Sequence, residues 1–248
     1  MSDKKDTMNK FILFVFILFT VVSHSQIVRW EYMGSDGVLQ NLEFHDAGGK
    51  TIPIGDHSNI DGSPLLQEKW AFGTIKLKNG ITFSDSSINY SLFNNKLFFK
   101  KNDEIYPIDY SVKEFSIEYS GNSNEKKIYR FQNGFPAINK NDSSTFYEIL
   151  FGGNSIKLLK WQHKKIKEIY NYAAAFQSEY SFVQDFFVFF PAENKMLELG
   201  IKISLNALKK SIPEYSNQID AYNSAHKFNT NKDRDLIQLF SFLDSANR

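Results

Sequence analysis

The sequence predicts an α+β protein, mainly antiparallel β in a meander, a sandwich or barrel-like sheets, with a C-terminal three-helix unit. Runs of β-branched and aromatic residues recur about every ten residues between 64 and 203, separated by Asn- and Gly-rich turns. After Ser204 the apolar residues recur every three or four positions, which is helical spacing. The chain has 42% hydrophobic residues and no cysteine, so packing rather than disulfides has to hold the core together.

These patterns divide the 248 residues into five parts. We expect a signal peptide over 1–25 and an irregular N-terminal segment over 26–63. A first β unit covers 64–133 and a second covers 134–203, and the helical unit covers 204–248.

The first part has the order of an export signal. Lys10 is followed by twelve apolar or small residues, Phe11 to Val22, and then by the small residues Ser23 and Ser25. Twelve helical residues reach about 18 Å, whereas a bilayer core is about 30 Å thick. We therefore expect cleavage before Gln26 and delivery to the periplasm, the cell surface or the medium, with no transmembrane segment in the mature chain.

Turn residues predict three β-hairpins, and proline predicts an edge. Asn79-Gly80, Asn94-Asn95 and Gly152–Asn154 each stand between two β-rich runs. Pro107 cannot donate a ladder hydrogen bond, so its strand should be an edge or carry a bulge. The run Phe182 to Phe190 is apolar at both odd and even positions, which predicts a central strand buried on both faces. The alternative is an aromatic surface that binds a partner.

Three helical stripes are predicted after Ser204. The first two helices share a proline boundary at Pro213, and Thr230 with Asp233 predicts the start of the third. The residues expected on the buried stripes are Leu205, Leu208, Ile212, Tyr215, Ile219, Tyr222, Leu236, Leu239, Phe240 and Leu243.

Charge and motifs argue against several functions. The first 25 residues hold three lysines and two aspartates, which leaves equal numbers of basic and acidic residues in the rest of the chain. A neutral chain has no overall field that attracts nucleic acid, so we expect no nucleic-acid partner.

The common nucleophile, zinc-protease, phosphate-loop and dinucleotide motifs are absent from the sequence. Their absence favours a protein without catalysis or cofactor.

One acidic and histidine-rich stretch keeps an enzymatic alternative open. Glu43 and His45 would share a face of an extended segment, and Asp56 with His57 could approach from across a loop. Imidazole and carboxylate groups suit zinc or another divalent ion. The alternatives are a solvated polar loop and the metal site of an exported hydrolase.

A second stretch is basic, and it supplies the candidate binding residues Lys160, Lys164 and Lys165. Lysine recurs from Lys157 to Lys167, with Trp161 and His163 among the lysines. Strand alternation places Trp161 and His163 on a core-facing side and Lys160 and Lys164 on the opposite side. This side could bind an acidic glycan or lipid head groups. The alternative is an ordinary solvated hairpin face.

Three groups of residues carry a resemblance. The first group is Gly62–Leu65, Glu68–Trp70 and Gly73–Ile75. The second is Phe146–Leu150 with Lys157–Lys160, and the third is Leu208–Pro213 with Asp235–Ile237. Together they resemble a family of uncharacterised exported proteins from Bacteroidetes. The resemblance would cover most of residues 60–245 and implies no chemistry, because the family has no known role.

These observations together predict an exported, non-enzymatic envelope or secreted protein that binds a protein, glycan or surface partner. The alternative is an exported metal-dependent hydrolase with a site around Glu43, His45, Asp56 and His57.

Overall fold

The structure is a computed structural model. It describes residues 44–45, 51–52, 60–101, 104–108, 111–120, 126–171, 175–226 and 228–246. The predicted signal peptide therefore lies outside the described residues.

The described residues form thirteen strands, three α-helices and a short 3-10 helix. The strands are β1 (Phe44–His45), β2 (Thr51–Ile52), β3 (Ile60–Asp61), β4 (Ala71–Leu77), β5 (Thr82–Ser91), β6 (Lys96–Lys101), β7 (Glu104–Pro107), β8 (Val112–Ser120), β9 (Lys126–Gln132), β10 (Tyr147–Gly152), β11 (Lys157–Asn171), β12 (Ala175–Phe190) and β13 (Lys195–Gly200). The helices are α1 (Leu205–Ser211), α2 (Ser216–Ala225) and α3 (Asp233–Ser245), with the 3-10 turn at Pro213–Tyr215.

Eleven of these strands belong to one sheet, in the order β13-β12-β11-β10-β9-β8-β4-β5-β6-β7 with β3 beside β12. All neighbouring pairs are antiparallel except β3 with β12. The predicted fold class, mainly antiparallel β with three C-terminal helices, is confirmed. The predicted boundary between 133 and 134 falls between β9 and β10, and these strands pair with each other.

The three predicted hairpins are all present. In the first, Gly80 has φ +90°, which a β-branched residue adopts only with strain, and its N–H donates to the carbonyl of Leu77. Asn79 keeps a negative φ, and its side-chain oxygen accepts from the Ile81 N–H. The second hairpin uses positive φ at Asn95. The third joins β10 to β11 through residues 153–156.

Edges and buried strands follow the sequence pattern. Pro107 ends β7, the last strand in the sheet order, as its missing donor predicts. The run from Phe186 to Phe190 is buried at every position, because β12 lies between β11 and β13 and both of its faces are covered. Phe182, at the other end of the predicted run, is half exposed.

The helices cover one face of β10 to β13. Ser204 caps α1, since its side chain accepts from the Ala207 N–H. The predicted stripes are confirmed apart from Leu205, which is only partly buried. The core cluster formed here contains Leu158, Phe186, Val188, Leu208, Ile212, Tyr215, Ile219, Tyr222, Leu236, Leu239, Phe240 and Leu243. Each fully buried Leu or Phe contributes about 1.5–3 kcal/mol relative to exposure.

The start of α3 differs from the prediction. Lys232 occupies the N-cap position and makes no side-chain capping bond, so Thr230 does not cap the helix. Asp233 and Asp235 lie in the first turn, where negative charge interacts favourably with the helix dipole. Asp233 is also directed to the sheet, as described below.

The rest of the sheet has its own core and curves back towards β11. Its packed side chains include Ile75, Ile88, Tyr90, Phe115, Ile117, Phe131 and Phe146. The backbone N–H of Lys164 in β11 donates to the carbonyl of Leu92, which directly follows β5, over 3.0 Å. Within the described part of the chain, no helix is long and apolar enough to cross a membrane.

Candidate functional site

The predicted lysine stretch forms one strand of an unusually long hairpin. Strands β11 and β12 pair residue by residue from Lys157 opposite Phe189 to Asn171 opposite Ala175. The neighbouring strands β10 and β13 accompany only one end: β10 pairs with β11 as far as Lys160, and β13 pairs with β12 from Phe186 onwards. We call residues 157–163 with 183–190 the proximal hairpin, and 164–171 with 175–182 the distal hairpin.

Alternation gives this hairpin two faces. Even-numbered side chains of β11, such as Lys160 and Gln162, lie on the face that meets α3 in the proximal hairpin, which we call the inner face. Odd-numbered side chains, such as Trp161 and His163, lie on the outer face, where Phe135 and Ile138 of the β9–β10 connection pack. The predicted assignment of Trp161 and His163 to one face and of Lys160 and Lys164 to the other agrees with the structure.

Lys160 is an internal ion-pair residue. Its side chain is only 7% exposed, because α3 covers the inner face at this point. Its Nζ lies 3.6 Å from Oε2 of Glu148 on β10 and also contacts Oδ2 of Asp233 on α3. Lys160 therefore joins the sheet to the first turn of the last helix, and the expected solvated lysine face does not exist at this position.

Glu148 is held in the same cluster. Gln162 donates from Nε2 to its Oε2, and Lys160 is its cross-strand neighbour. Burial nevertheless raises the pKa of Glu148, because the desolvation of the carboxylate outweighs the attraction of Lys160. The carboxylate is therefore dependent on Lys160 for its charge compensation.

Lys164 and Lys165 are placed differently from each other. Nζ of Lys164 donates to the carbonyls of Ser63 and Leu65, at 2.6 and 2.8 Å, and ties the chain before β4 to β11. Burial lowers the pKa of Lys164. Lys165 is exposed and, as the next residue of the strand, lies on the outer face. The three candidate lysines therefore form no common surface. The predicted binding of an anion through Lys160, Lys164 and Lys165 stays a prediction.

The outer face carries a stacked aromatic pair. The rings of Trp161 and His163 are parallel to within 15°, with centroids 3.6 Å apart, and Nζ of Lys140 lies 4.8 Å from the Trp161 centroid. Burial lowers the pKa of His163 to about 4, with smaller contributions from Lys140 and Lys165. The imidazole is therefore neutral at pH 7.

His163 has an acidic neighbour on β12. Oδ2 of Asp185 lies 3.9 Å from its Nδ1, beyond hydrogen-bonding distance, and among the described residues neither ring nitrogen has a hydrogen-bond partner. Burial, together with the charge of Glu198, raises the pKa of Asp185. Glu198 itself accepts from Nδ2 of Asn139 over 2.6 Å. Within this polar group His163 is buried and Asp185 is partly buried, whereas Asn139 and Glu198 are exposed.

The predicted metal residues are largely outside the described chain. Glu43, Asp56 and His57 are not described, and for His45 the structure gives only the backbone of β1, where it pairs with Thr51. The described residues contain no group of three or more histidine or acidic side chains arranged to hold a metal ion. The hypothesis of a metal site at these four residues stays a prediction.

The distal hairpin exposes large apolar side chains. Ile166 is 41% exposed, Phe182 50% and Tyr170 61%, and all three lie on the inner face. Ile169 is exposed on the outer face. Four of the ten most exposed large hydrophobic residues in the described chain thus belong to this short two-stranded element. The helices and strands that bury the proximal hairpin do not reach it.

Sequence reasoning did not identify Glu148, the contact of Asp233 with the sheet, or the exposure of Ile166 and Tyr170. A glutamate inside the apolar run Phe146–Leu150 was a usable signal, since a strand buried on both faces tolerates a carboxylate only with a partner. No such signal exists for Ile166, whose alternation with charged neighbours is that of any half-buried strand. No protein-family model, curated protein or solved structure matches the chain.

Proposed function

We propose that this is an exported, non-enzymatic binding protein that contacts a partner protein through the distal hairpin. Export is supported by the Lys10, Phe11–Val22 and Ser23–Ser25 pattern. Binding is supported by one observation above the others, the exposure of Ile166, Tyr170 and Phe182 on a single face of a two-stranded element. Exposed aromatic and aliphatic groups of this kind are enriched in protein interfaces.

The charge of the distal hairpin favours a protein over an anionic surface. The charged residues of the distal hairpin are Lys164, Lys165, Lys167, Glu168 and Glu179. The ammonium of Lys164 is bound to the carbonyls of Ser63 and Leu65, and the other four charges balance. Lys167 stands directly opposite Glu179. An acidic glycan or an anionic membrane gains little attraction from a balanced element, whereas apolar contact with a protein does not depend on net charge.

Site-specific photocrosslinking tests the binding surface. A photoreactive phenylalanine analogue replaces Phe182 in the protein expressed in its own cells. The control replaces Phe72, which is 68% exposed on β4, a strand that does not pair with β11 or β12. We expect a discrete crosslinked species from position 182 and none from position 72. Equal crosslinking at both positions, or none at position 182, would contradict the proposed surface.

Retention on anionic ligands separates the two partner classes. We expect the parent protein to be retained only weakly on acidic-glycan resin and on anionic vesicles. The Lys165→Ser variant should be retained to the same extent. Strong retention that falls with added salt and with Lys165→Ser would replace the proposed protein partner by an anionic surface.

Export has its own test. The intact mass of the protein isolated from its cells should correspond to a chain that begins at Gln26. A full-length chain in the inner membrane would contradict export, whatever the crosslinking shows.

A further inference from the structure

The edge of β11 that faces away from β12, which we call its outer edge, lacks a neighbouring described strand along the distal hairpin. Beyond Lys160 no described strand pairs with it, and the one backbone contact there is the bond from the Lys164 N–H to the Leu92 carbonyl. That bond fixes the direction of the backbone groups, because N–H and C=O groups alternate between the two sides of a strand. The N–H and C=O of Ile166 and Glu168 therefore point away from β12, as those of Lys164 do.

The opposite edge of the same hairpin has already accepted a strand. On that side, β3 adds in parallel to β12, with Ile60 beside Ser178 and Asp61 beside Glu179. Ser178 is the cross-strand partner of Glu168. Beside this pair of residues, the hairpin therefore has an added strand at its β12 edge, while its β11 edge presents backbone donors and acceptors.

We infer that the outer edge of β11, at Ile166 to Glu168, binds an extended segment of a partner protein as an additional β-strand. The inference rests on the proposed binding function and specifies how the partner is held. Main-chain hydrogen bonds to Ile166 and Glu168 provide the attachment, and the alternating side chains of the partner provide selectivity.

The side chains along β11 define the chemistry of that segment. Partner residues on the inner face lie next to Ile166, so apolar side chains suit these positions. Partner residues on the outer face lie next to Lys165 and Lys167, so acidic side chains suit them. The same two lysines oppose pairing with a second copy of this edge, because like charges on neighbouring strands repel. The predicted ligand is an extended segment that alternates apolar and acidic residues.

A proline at Glu168 tests the backbone contact. Its N–H points away from β12, so Glu168→Pro removes one edge donor and leaves the β11–β12 ladder intact. Glu168→Ala is the matched control, since it loses the same charge and keeps the donor. The probe is a fluorescein-labelled nine-residue peptide of alternating Val and Glu, and a peptide of alternating Val and Lys is its control.

We expect the Val–Glu peptide to bind the full chain, to protect the amides of Ile166 and Glu168 from hydrogen exchange, and to bind Glu168→Ala equally well. Glu168→Pro should weaken binding at least about tenfold, which corresponds to one or two lost hydrogen bonds. No binding up to about 1 mM peptide, or equal binding by the proline variant, would overturn the inference. A dimer that forms without peptide and disappears in Glu168→Pro would assign the edge to a second copy and also overturn it.

Crosslinking from position 182 distinguishes this inference from the proposed function. If the partner crosslinks to the parent protein and to Glu168→Ala but not to Glu168→Pro, both are supported. If the crosslink survives Glu168→Pro, the hairpin binds a partner but strand addition is wrong. If position 182 gives no crosslink in the parent protein, the proposed function itself fails.

Discussion

The proximal and distal halves of the β11–β12 hairpin are built from the same two strands and have opposite relations to solvent. In the proximal half, α3 covers the inner face and the β9–β10 connection covers the outer face, so even Lys160 is buried. In the distal half neither layer is present, and Phe182 is half exposed. The comparison teaches that burial along a strand is decided by its neighbouring layers, because the pairing itself continues unchanged.

The largest expected difference in the free energy of unfolding is between alanine substitutions of two phenylalanines of β12. Phe187 is 2% exposed in the proximal half, where it contacts Tyr147, whereas Phe182 is 50% exposed in the distal half. Phe187→Ala should lower the free energy of unfolding by about 3–5 kcal/mol, as expected for a large buried ring. Phe182→Ala should change it by less than about 1 kcal/mol. Urea unfolding measures both, and equal losses would show that the two halves are not differently packed.

The next effect concerns two lysines of β11. Lys160→Ala leaves the buried Glu148 without its cationic partner, which should cost about 3–5 kcal/mol of unfolding free energy. Lys165→Ala, at an exposed position, should change it by no more than about 0.5 kcal/mol. Thermal unfolding of the two variants at pH 7 makes the comparison. A Lys160→Ala variant as stable as the parent would mean that α3 and the sheet do not depend on this ion pair.

The same lysines show how much of the site could be predicted from sequence. Strand alternation correctly assigned Lys160 and Lys164 to one face and Trp161 to the other. It also led to the expectation that the lysine face is solvated, which holds for neither Lys160 nor Lys164. Strand alternation predicts only that neighbouring side chains point to opposite faces. It does not predict which face is covered, and here the inner face is covered by α3, whose first residue, Asp233, follows Lys160 by 73 positions.

The hairpin turns and the buried faces of the helices could be predicted from short stretches of sequence, because each of these patterns fits only one local structure. Gly80 and Asn95 fix hairpins because few residues adopt positive φ, and Leu236 with Leu239 fixes the buried stripe of α3. The continuous sheet could not be predicted, because the pairing of β9 with β10 spans the polar connector that suggested a boundary. The exposure of Ile166 was also unpredictable, since it depends on how far α3 extends over the inner face of the hairpin.

A smaller effect should distinguish two glycines in the turn at the base of the hairpin. A Cβ on Gly153 would lie 2.4 Å from Oδ1 of Asp244 and 2.5 Å from the carbonyl oxygen of Ile156. That Asp244 oxygen accepts from the N–H of Ser155, so it cannot withdraw without losing a hydrogen bond. Gly153→Ala should cost about 1–3 kcal/mol through overpacking.

Gly152 supplies the matched control for this turn. A Cβ there would meet Ile149 Cγ2 at 3.5 Å, which is an ordinary contact. Gly152→Ala should therefore leave the urea midpoint close to that of the parent, within about 0.5 kcal/mol. If both variants unfold at the same urea concentration, α3 does not close on the turn as tightly as the structure indicates.

The smallest effect is a pH dependence located where the proximal half ends. Folding lowers the pKa of His163 from 6.5 to about 4, mainly because burial disfavours the charged imidazolium. Between these values the unfolded chain binds a proton that the folded chain does not, so His163 contributes stability above pH 6.5 that is lost as pH falls to about 4. Lys140 and Lys165 account for part of the shift and are screened by solvent, so we expect a loss on the order of 1–2 kcal/mol. The raised pKa of the neighbouring Asp185 acts in the opposite direction, because protonation of that partly buried carboxylate favours the folded state.

Two histidine variants test this pH dependence. His163→Phe keeps a ring against Trp161 and removes the titration, and His226→Gln, at an exposed position on the helical side, serves as the control. Melting temperatures at pH 7 and pH 4.5 should converge in His163→Phe relative to the parent and to His226→Gln. An unchanged difference between the two pH values would show that His163 is not buried as a neutral ring and that the proximal half ends before it.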